Sequence, residues 1–321
     1  MLTGMKESLR TTWNRLAASV AEEAALPAGI QTRLSWARPI ESYHELPPVY
    51  HEFYNSLRPD THEFPYAVVT PTFKGFVRRE NEKLICSVGD RFYILEKTKS
   101  QLNCTTYALA DISYLEIGNI LLNAWIRIQG IAGNGKLTAV TLKFNAVSEH
   151  LFRPFLDKIR YAADYPPGID RDAELAKFEG VDKLSFKFNS FARHSILPGA
   201  IVIQAVAQPE IRMPVLKAFG RSFYRTIALS RVLVLTDREL IIIRDDINSP
   251  MAFDESRYGG VWDYIPLDKI TAATLVDQAD DRFALSIHLP QDDCIESLFM
   301  GPKRSEVKRL LNQLEAQRST P

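Results

Sequence analysis

The sequence predicts an α+β protein, mostly β, made of two tandem curled antiparallel β-barrels, each closed by a C-terminal helix, with a helical segment ahead of them. Three observations carry this expectation. Short apolar runs with period-two alternation recur along most of the chain. The pattern of several strands followed by one amphipathic helix occurs twice. Turn-and-strand signatures in one half are repeated in the other.

The opening stretch has Leu2, Met5, Leu9, Trp13, Leu16 and Val20 at steps of three and four, the spacing of one helix face, and Pro27 with Gly29 ends it. Residues 42–64 hold Pro47-Pro48 and several aromatics and predict short helical turns. Strands follow over 66–76, 83–96, 107–117, 122–129 and 137–144. Helical spacing then returns with Val147, Leu151, Phe152, Phe155, Leu156 and Ile159. Pro166-Pro167-Gly168 marks a boundary, and 170–178 predicts a short helix. Strands resume over 201–208, 231–235, 240–244, 261–266, 270–276, 283–289 and 295–300. A last helix begins at Pro302 with Val307, Leu310, Leu311 and Leu314 on its apolar face. The expected organisation is an N-terminal helical segment over 1–64, a first β domain over 65–163, a linker with a short helix over 164–184, and a second β domain over 185–321.

Asp90-Arg91-Phe92-Tyr93-Ile94-Leu95 matches Asp237-Arg238-Glu239-Leu240-Ile241-Ile242-Ile243: a polar turn feeding an apolar strand. Tyr107-Ala108-Leu109-Ala110-Asp111-Ile112 matches Tyr264-Ile265-Pro266-Leu267-Asp268-Lys269-Ile270 apart from one extra residue. An antiparallel sheet that curls leaves an open end, and one amphipathic helix plugs it.

The stretch from Arg231 to Arg244, two strands around Thr236-Asp237-Arg238, resembles bacterial PH-like domains, a group related to PH and GRAM domains. Tyr264 to Ile270 and Ser195 to Ile203 add to the resemblance, although Ala200 stands where that group commonly has Glu. It covers residues 190–316 well and 65–162 less well. It implies a non-enzymatic binding or scaffold module, working through an unknown protein partner or self-association. The alternative it implies is a peripheral binder of anionic membrane surfaces, because PH-like folds host lipid binding, peptide binding and oligomerisation alike.

Composition narrows the classes. The chain of 321 residues is long enough for two cores, and 46% apolar with 24% charged residues is that of a globular protein. A formal net charge of zero gives no global field for nucleic acid. Cys86, Cys104 and Cys294 form no C-x-x-C, and thiols this sparse predict a reducing, cytoplasmic setting, at most peripheral to a membrane. No run of about 18 apolar residues occurs.

Enzyme signatures are weak. Gly130 to Lys136 fits G-x-x-x-x-G-K, but Leu137 follows where magnesium binding needs Ser or Thr, and the next residues alternate like a strand. Asn134-Gly135 predicts a hairpin turn instead. His44-Glu45, His51-Glu52 and His62-Glu63 lack the spacing of a rigid metal site, so no catalytic residue, metal or cofactor is expected.

Two basic clusters are the candidate binding residues. Lys74, Arg78 and Arg79 surround an early hairpin, the place where the resemblance implies phosphate-binding cations, diluted by Glu80 and Glu82. Arg212, Lys217, Arg221 and Arg225 occupy the equivalent position in the second half, interleaved with Met213, Val215, Leu216, Phe219, Phe223 and Tyr224. Cations among exposed aromatics suit an anionic surface or an acidic partner. The plainer alternative packs the aromatics inward and leaves the cations in water.

Overall fold

The structure, a computed structural model, describes residues 34–57, 64–74, 79–99, 101–160, 168–218, 221–245 and 259–318. The helix expected over the first 26 residues lies outside them. What is described is mostly β, with antiparallel sheets and short helices, and no sheet among the described residues closes into a barrel. The expected closure is therefore replaced by open sheets packed face to face.

Strands β1 (Arg38–Ile40), β2 (Ala67–Val69), β3 (Phe73–Lys74), β4 (Arg79–Glu80), β5 (Lys83–Val88), β6 (Arg91–Lys97) and β7 (Leu102–Ala108) come first, with helix α1 (His51–Leu57) between β1 and β2. Next are β8 (Ile112–Ile120), β9 (Asn123–Ile131), β10 (Leu137–Asn145) and helix α2 (Arg153–Arg160). Short helices α3 (Arg171–Ala176), α4 (Glu179–Asp182) and α5 (Phe186–Ser195) lead to β11 (Val202–Gln208), β12 (Ile211–Ala218), β13 (Arg221–Ala228), β14 (Arg231–Thr236) and β15 (Glu239–Arg244). The chain finishes with β16 (Gly259–Pro266), β17 (Ala272–Gln278), β18 (Arg282–His288), β19 (Cys294–Met300) and helix α6 (Arg304–Arg318).

The element order repeats. In each half a strand (β2 or β11) is followed by a two-stranded ribbon (β3–β4 or β12–β13), six more strands and a helix. The matched sequence signatures fall at matched places. Asp90 and Asp237 sit in the turns before β6 and β15, and the Tyr107 and Tyr264 segments each end a strand and enter a single 3₁₀ turn.

The chain divides into two compact units, residues 1–106 with 142–153, and 107–141 with 154–321. In the first unit β1, β2, β5 and β6 pair antiparallel, and Ile40, Tyr50, Val69, Leu84, Cys86 and Leu95 form a core. Tyr50 donates its hydroxyl to Glu82 at 3.0 Å, and burial raises its pKa.

The second unit contains β9, β8, β16, β15, β14 and β11 as consecutive neighbours of one sheet. The β8–β9 hairpin of the first repeat thus pairs with the second repeat through Ile120 opposite Gly259 and Glu116 opposite Asp263. A side chain on Gly259 would come within 2.1 Å of the Asn119 carbonyl, so glycine permits this close approach. One face of the sheet packs Leu233, Leu235, Leu240, Ile242 and Ile265 against Phe283, Leu285 and Phe299 of the β17–β18–β19 sheet and Val307, Leu310 and Leu314 of α6. On the other face Val232, Val234, Ile241 and Ile243 are also buried, and α5 covers them. That explains why β14 and β15 read as nearly continuous apolar runs. Helix α5, whose Ser185 cap accepts from the Phe188 amide at 3.2 Å, was not expected from the sequence.

Helix α2, which closes the first repeat, is tied into the same unit at its last residue. Arg160 donates to both carboxylate oxygens of Glu239 at 2.5 and 3.2 Å and to the Ser195 carbonyl at 2.7 Å, and it lies 3.7 Å from the Tyr264 ring centre. Both partners are largely buried, so removing one leaves an uncompensated charge. Arg160→Met is expected to cost about 3–5 kcal/mol in urea unfolding. Arg160→Met/Glu239→Leu is expected to recover most of that loss; strict additivity of the two single changes would contradict the pairing.

Candidate functional site

The densest polar constellation lies on the inner face of the second unit's sheet. Arg244 donates to Glu116 at 2.8 Å and to Asp263 at 3.2 Å, bridging a carboxylate from each repeat. The Trp125 indole donates to the second Glu116 oxygen at 2.7 Å and lies across Gly118, where a Cβ would come within 2.0 Å of the ring. Arg127 donates to Gln129 at 3.0 Å. Burial pushes the Asp263 carboxyl up to about 6; the Arg244 charge pulls it down, and the Glu116 charge pushes it up. Arg231, directly opposite Arg244 in the ladder, is held down to about 10 by burial and by Arg244, and its Nε is buried without a hydrogen-bond partner. These side chains make a clamp across β8 and β16 and leave Arg231 as a cation with no ion pair among the described residues.

Beyond Arg231, at the end of β11 and β14, the ribbon β12–β13 begins. Ile211 pairs with Ala228, in phase with Gln208 opposite Arg231, so the ribbon continues the β11–β14 hairpin outward. It hydrogen-bonds to no other strand among the described residues. Its base is buried at Ile211 and Ala228, but further out Val215, Phe223 and Tyr224 are 66%, 53% and 61% exposed. The expectation of inward-packed aromatics therefore fails for Phe223 and Tyr224: a two-stranded ribbon has no second layer to bury them. Arg225 is exposed opposite Met213, and its guanidinium has no ion pair among the described residues. Arg212 is exposed and paired with Glu210 at 2.6 Å, which raises its pKa. The register sets Lys217 opposite Ser222 and Arg221 opposite Ala218. Residues 211–228 hold these four cations and no carboxylate.

The equivalent ribbon β3–β4 sets Lys74 opposite Arg79, while Arg78 lies outside the described residues. Here the neighbouring charges are spent locally. Glu80 takes a hydrogen bond from Lys143 and an ion pair from Lys83 at 3.5 Å, and Lys83 is itself buried. The two sequence-predicted clusters thus lie on different ribbons, in different compact units, and among the described residues the second presents exposed aromatics beside its cations.

Other motifs resolve into structure. The stretch from Gly130 to Lys136 ends β9 and turns into β10, with the Gly135 amide donating to Ala132 at 2.8 Å. His51 contacts the Leu46 carbonyl at 2.8 Å and stacks on Tyr43. A cleft of about 550 Å³ beside α6 is lined by Arg160, Asp237, Arg238, Glu239, Asp268 and Arg318, and its charges of both signs lie side by side. Among the described residues no helix is long and apolar enough to cross a membrane.

The class defined by this fold and site is an open, mostly β, antiparallel α+β protein with a projecting cationic and aromatic ribbon. No protein-family model matches the chain, and no curated protein matches it in sequence.

Asp263 makes the clamp titratable. A carboxyl whose pKa is raised on folding stabilises the native state below its unfolded pKa of about 3.9 and loses that contribution as pH rises through about 6. Unfolding of wild type and Asp263→Asn, compared from about pH 4 to 7, is expected to show the wild type losing up to about 3 kcal/mol relative to the variant as pH rises. A difference independent of pH would show that Asp263 is not the titrating group.

Proposed function

We propose that this protein is a non-enzymatic binding module of two PH-like repeats that docks on an anionic membrane surface through the β12–β13 ribbon. The repeated order of strand, ribbon, six strands and helix supports the PH-like assignment. The observation that carries the docking is the ribbon itself: Lys217, Arg221 and Arg225 beside Phe223 and Tyr224, which stand in water, with the fourth cation, Arg212, paired to Glu210 at the base. Each cation near an anionic bilayer contributes about 1 kcal/mol, and aromatics settle at the headgroup level where one edge is apolar and the other wet. Wild type is expected to float with vesicles containing phosphatidylserine but not with neutral phosphatidylcholine, and to be released as salt rises. Lys217→Glu/Arg221→Glu/Arg225→Glu is expected to abolish binding. Phe223→Ser/Tyr224→Ser is expected to weaken it while changing unfolding by less than about 0.5 kcal/mol. Wild type that ignores anionic vesicles at low salt would remove this reading.

One observation favours a second reading, a protein–protein contact. Strand β17 forms an edge of its sheet, with Val276 exposed at 52%. An edge strand of this kind pairs with another chain by strand addition. On this reading the protein forms a defined dimer at micromolar concentration that Val276→Lys dissolves, and a monomer at every concentration would exclude self-pairing.

A further inference from the structure

The two-residue turn between β8 and β9 is built against ordinary turn chemistry. Ile120 pairs with Asn123, leaving Leu121 and Leu122 as the whole loop. Leu121 has φ of +55°, a region that favours glycine and asparagine and strains a bulky side chain. The other four non-glycine residues at positive φ among those described are Asp280, Asp281, Gln291 and Asp292, all polar. Leu121 and Leu122 are 47% and 57% exposed, so neither gains full burial in return. A half-exposed leucine pair with one member at positive φ gains little burial within the fold, and strain of this sort marks sites used for something outside it.

The ladder fixes where the turn lies. Ile120 faces Gly259, Val261 faces Arg244, Arg244 faces Arg231, and Arg231 faces Gln208. The turn therefore leaves the sheet at the end from which the β12–β13 ribbon projects. From the middle of the β11–β14 pair to the middle of the β8–β9 pair is four strand spacings, about 19 Å. The pairing of β8 with β16 brings a turn of the first repeat alongside a ribbon of the second.

We propose that Leu121 and Leu122 are a second membrane contact, inserting into the interface of the anionic bilayer that the ribbon engages. This rests on the ribbon's docking. The ribbon supplies attraction through Lys and Arg, and the turn supplies apolar depth without charge. The root of the ribbon and the turn lie about 19 Å apart across the sheet, so engaging both restricts the angle of the protein to the surface, where the ribbon alone would leave it free to swing.

The test measures partitioning of full-length protein onto phosphatidylcholine vesicles with and without phosphatidylserine, for wild type and Leu121→Asn/Leu122→Ser. Asparagine tolerates the turn's backbone, so the variant is expected to unfold at or slightly above the wild-type temperature. Its affinity for anionic vesicles is expected to fall about tenfold, with the salt dependence of the wild type retained. A folded variant that binds like wild type would overturn the second contact and leave the ribbon's docking intact. Wild type that fails to bind anionic vesicles would overturn both. In a second variant, Leu122→Trp, the indole emission is expected to shift to the blue when anionic vesicles are added; no shift in protein shown to be vesicle-bound would also overturn the insertion.

Discussion

The pairing of β8 with β16 is the constraint on which the second unit depends. It joins the β8–β9 hairpin of one repeat to the four-stranded core sheet of the other, so the repeats of the sequence and the compact units of the structure do not divide the chain at the same places. Two arginines hold the join. Arg244 reaches across to Glu116 in the first repeat, and Arg160, at the end of the first repeat's helix, reaches Glu239 in the second. Buried ion pairs of this kind add little net stability over an apolar substitute, but each partner becomes costly to remove alone. Their effect is to specify which strands meet.

That join also arranges the end proposed to dock. The sheet is continuous from β11 to β9, so its end carries the ribbon and the leucine turn at a separation set by strand spacing rather than by loop conformation. Arg231, with no ion pair among the described residues, lies at the foot of the ribbon, and the clamp of Glu116, Arg244 and Asp263 stands behind it. Arg225, with no ion pair among the described residues, and the exposed Phe223, Tyr224, Leu121 and Leu122 are gathered at one end. This asymmetry, rather than net charge, distinguishes a docking face in a chain whose formal charge is zero.

Much of the fold was legible in the sequence because it rests on local chemistry. The polar turns at Asp90 and Asp237, the closing helices with Phe155 and Leu310 buried, and the Asn134-Gly135 hairpin follow from period and turn preference. What escaped depends on long-range partners. Gly259 and Gly260 look like loop residues by composition, yet they are strand residues: the bare Gly259 lets β8 approach, and the bare Gly260 leaves room for the Phe191 ring of α5. Helix α5 is short, and its buried Phe188 and Ala192 make sense only against the sheet it covers. The cations of the ribbon were visible, but alternation cannot say which face meets water, so the exposure of Phe223 and Tyr224 was open. The turn at Leu121-Leu122 carried no turn signal, so the second strand was expected to begin at Leu122 itself, because an apolar pair is the least expected occupant of a tight turn.

Amide hydrogen exchange, read by mass spectrometry with and without phosphatidylserine vesicles, tests the account most directly. Slower exchange in peptides covering 211–228 and 118–125, with β17 to β19 unchanged, is the expected result. Unchanged exchange in the ribbon, or protection confined to the β17 edge, would contradict membrane docking at this end of the sheet.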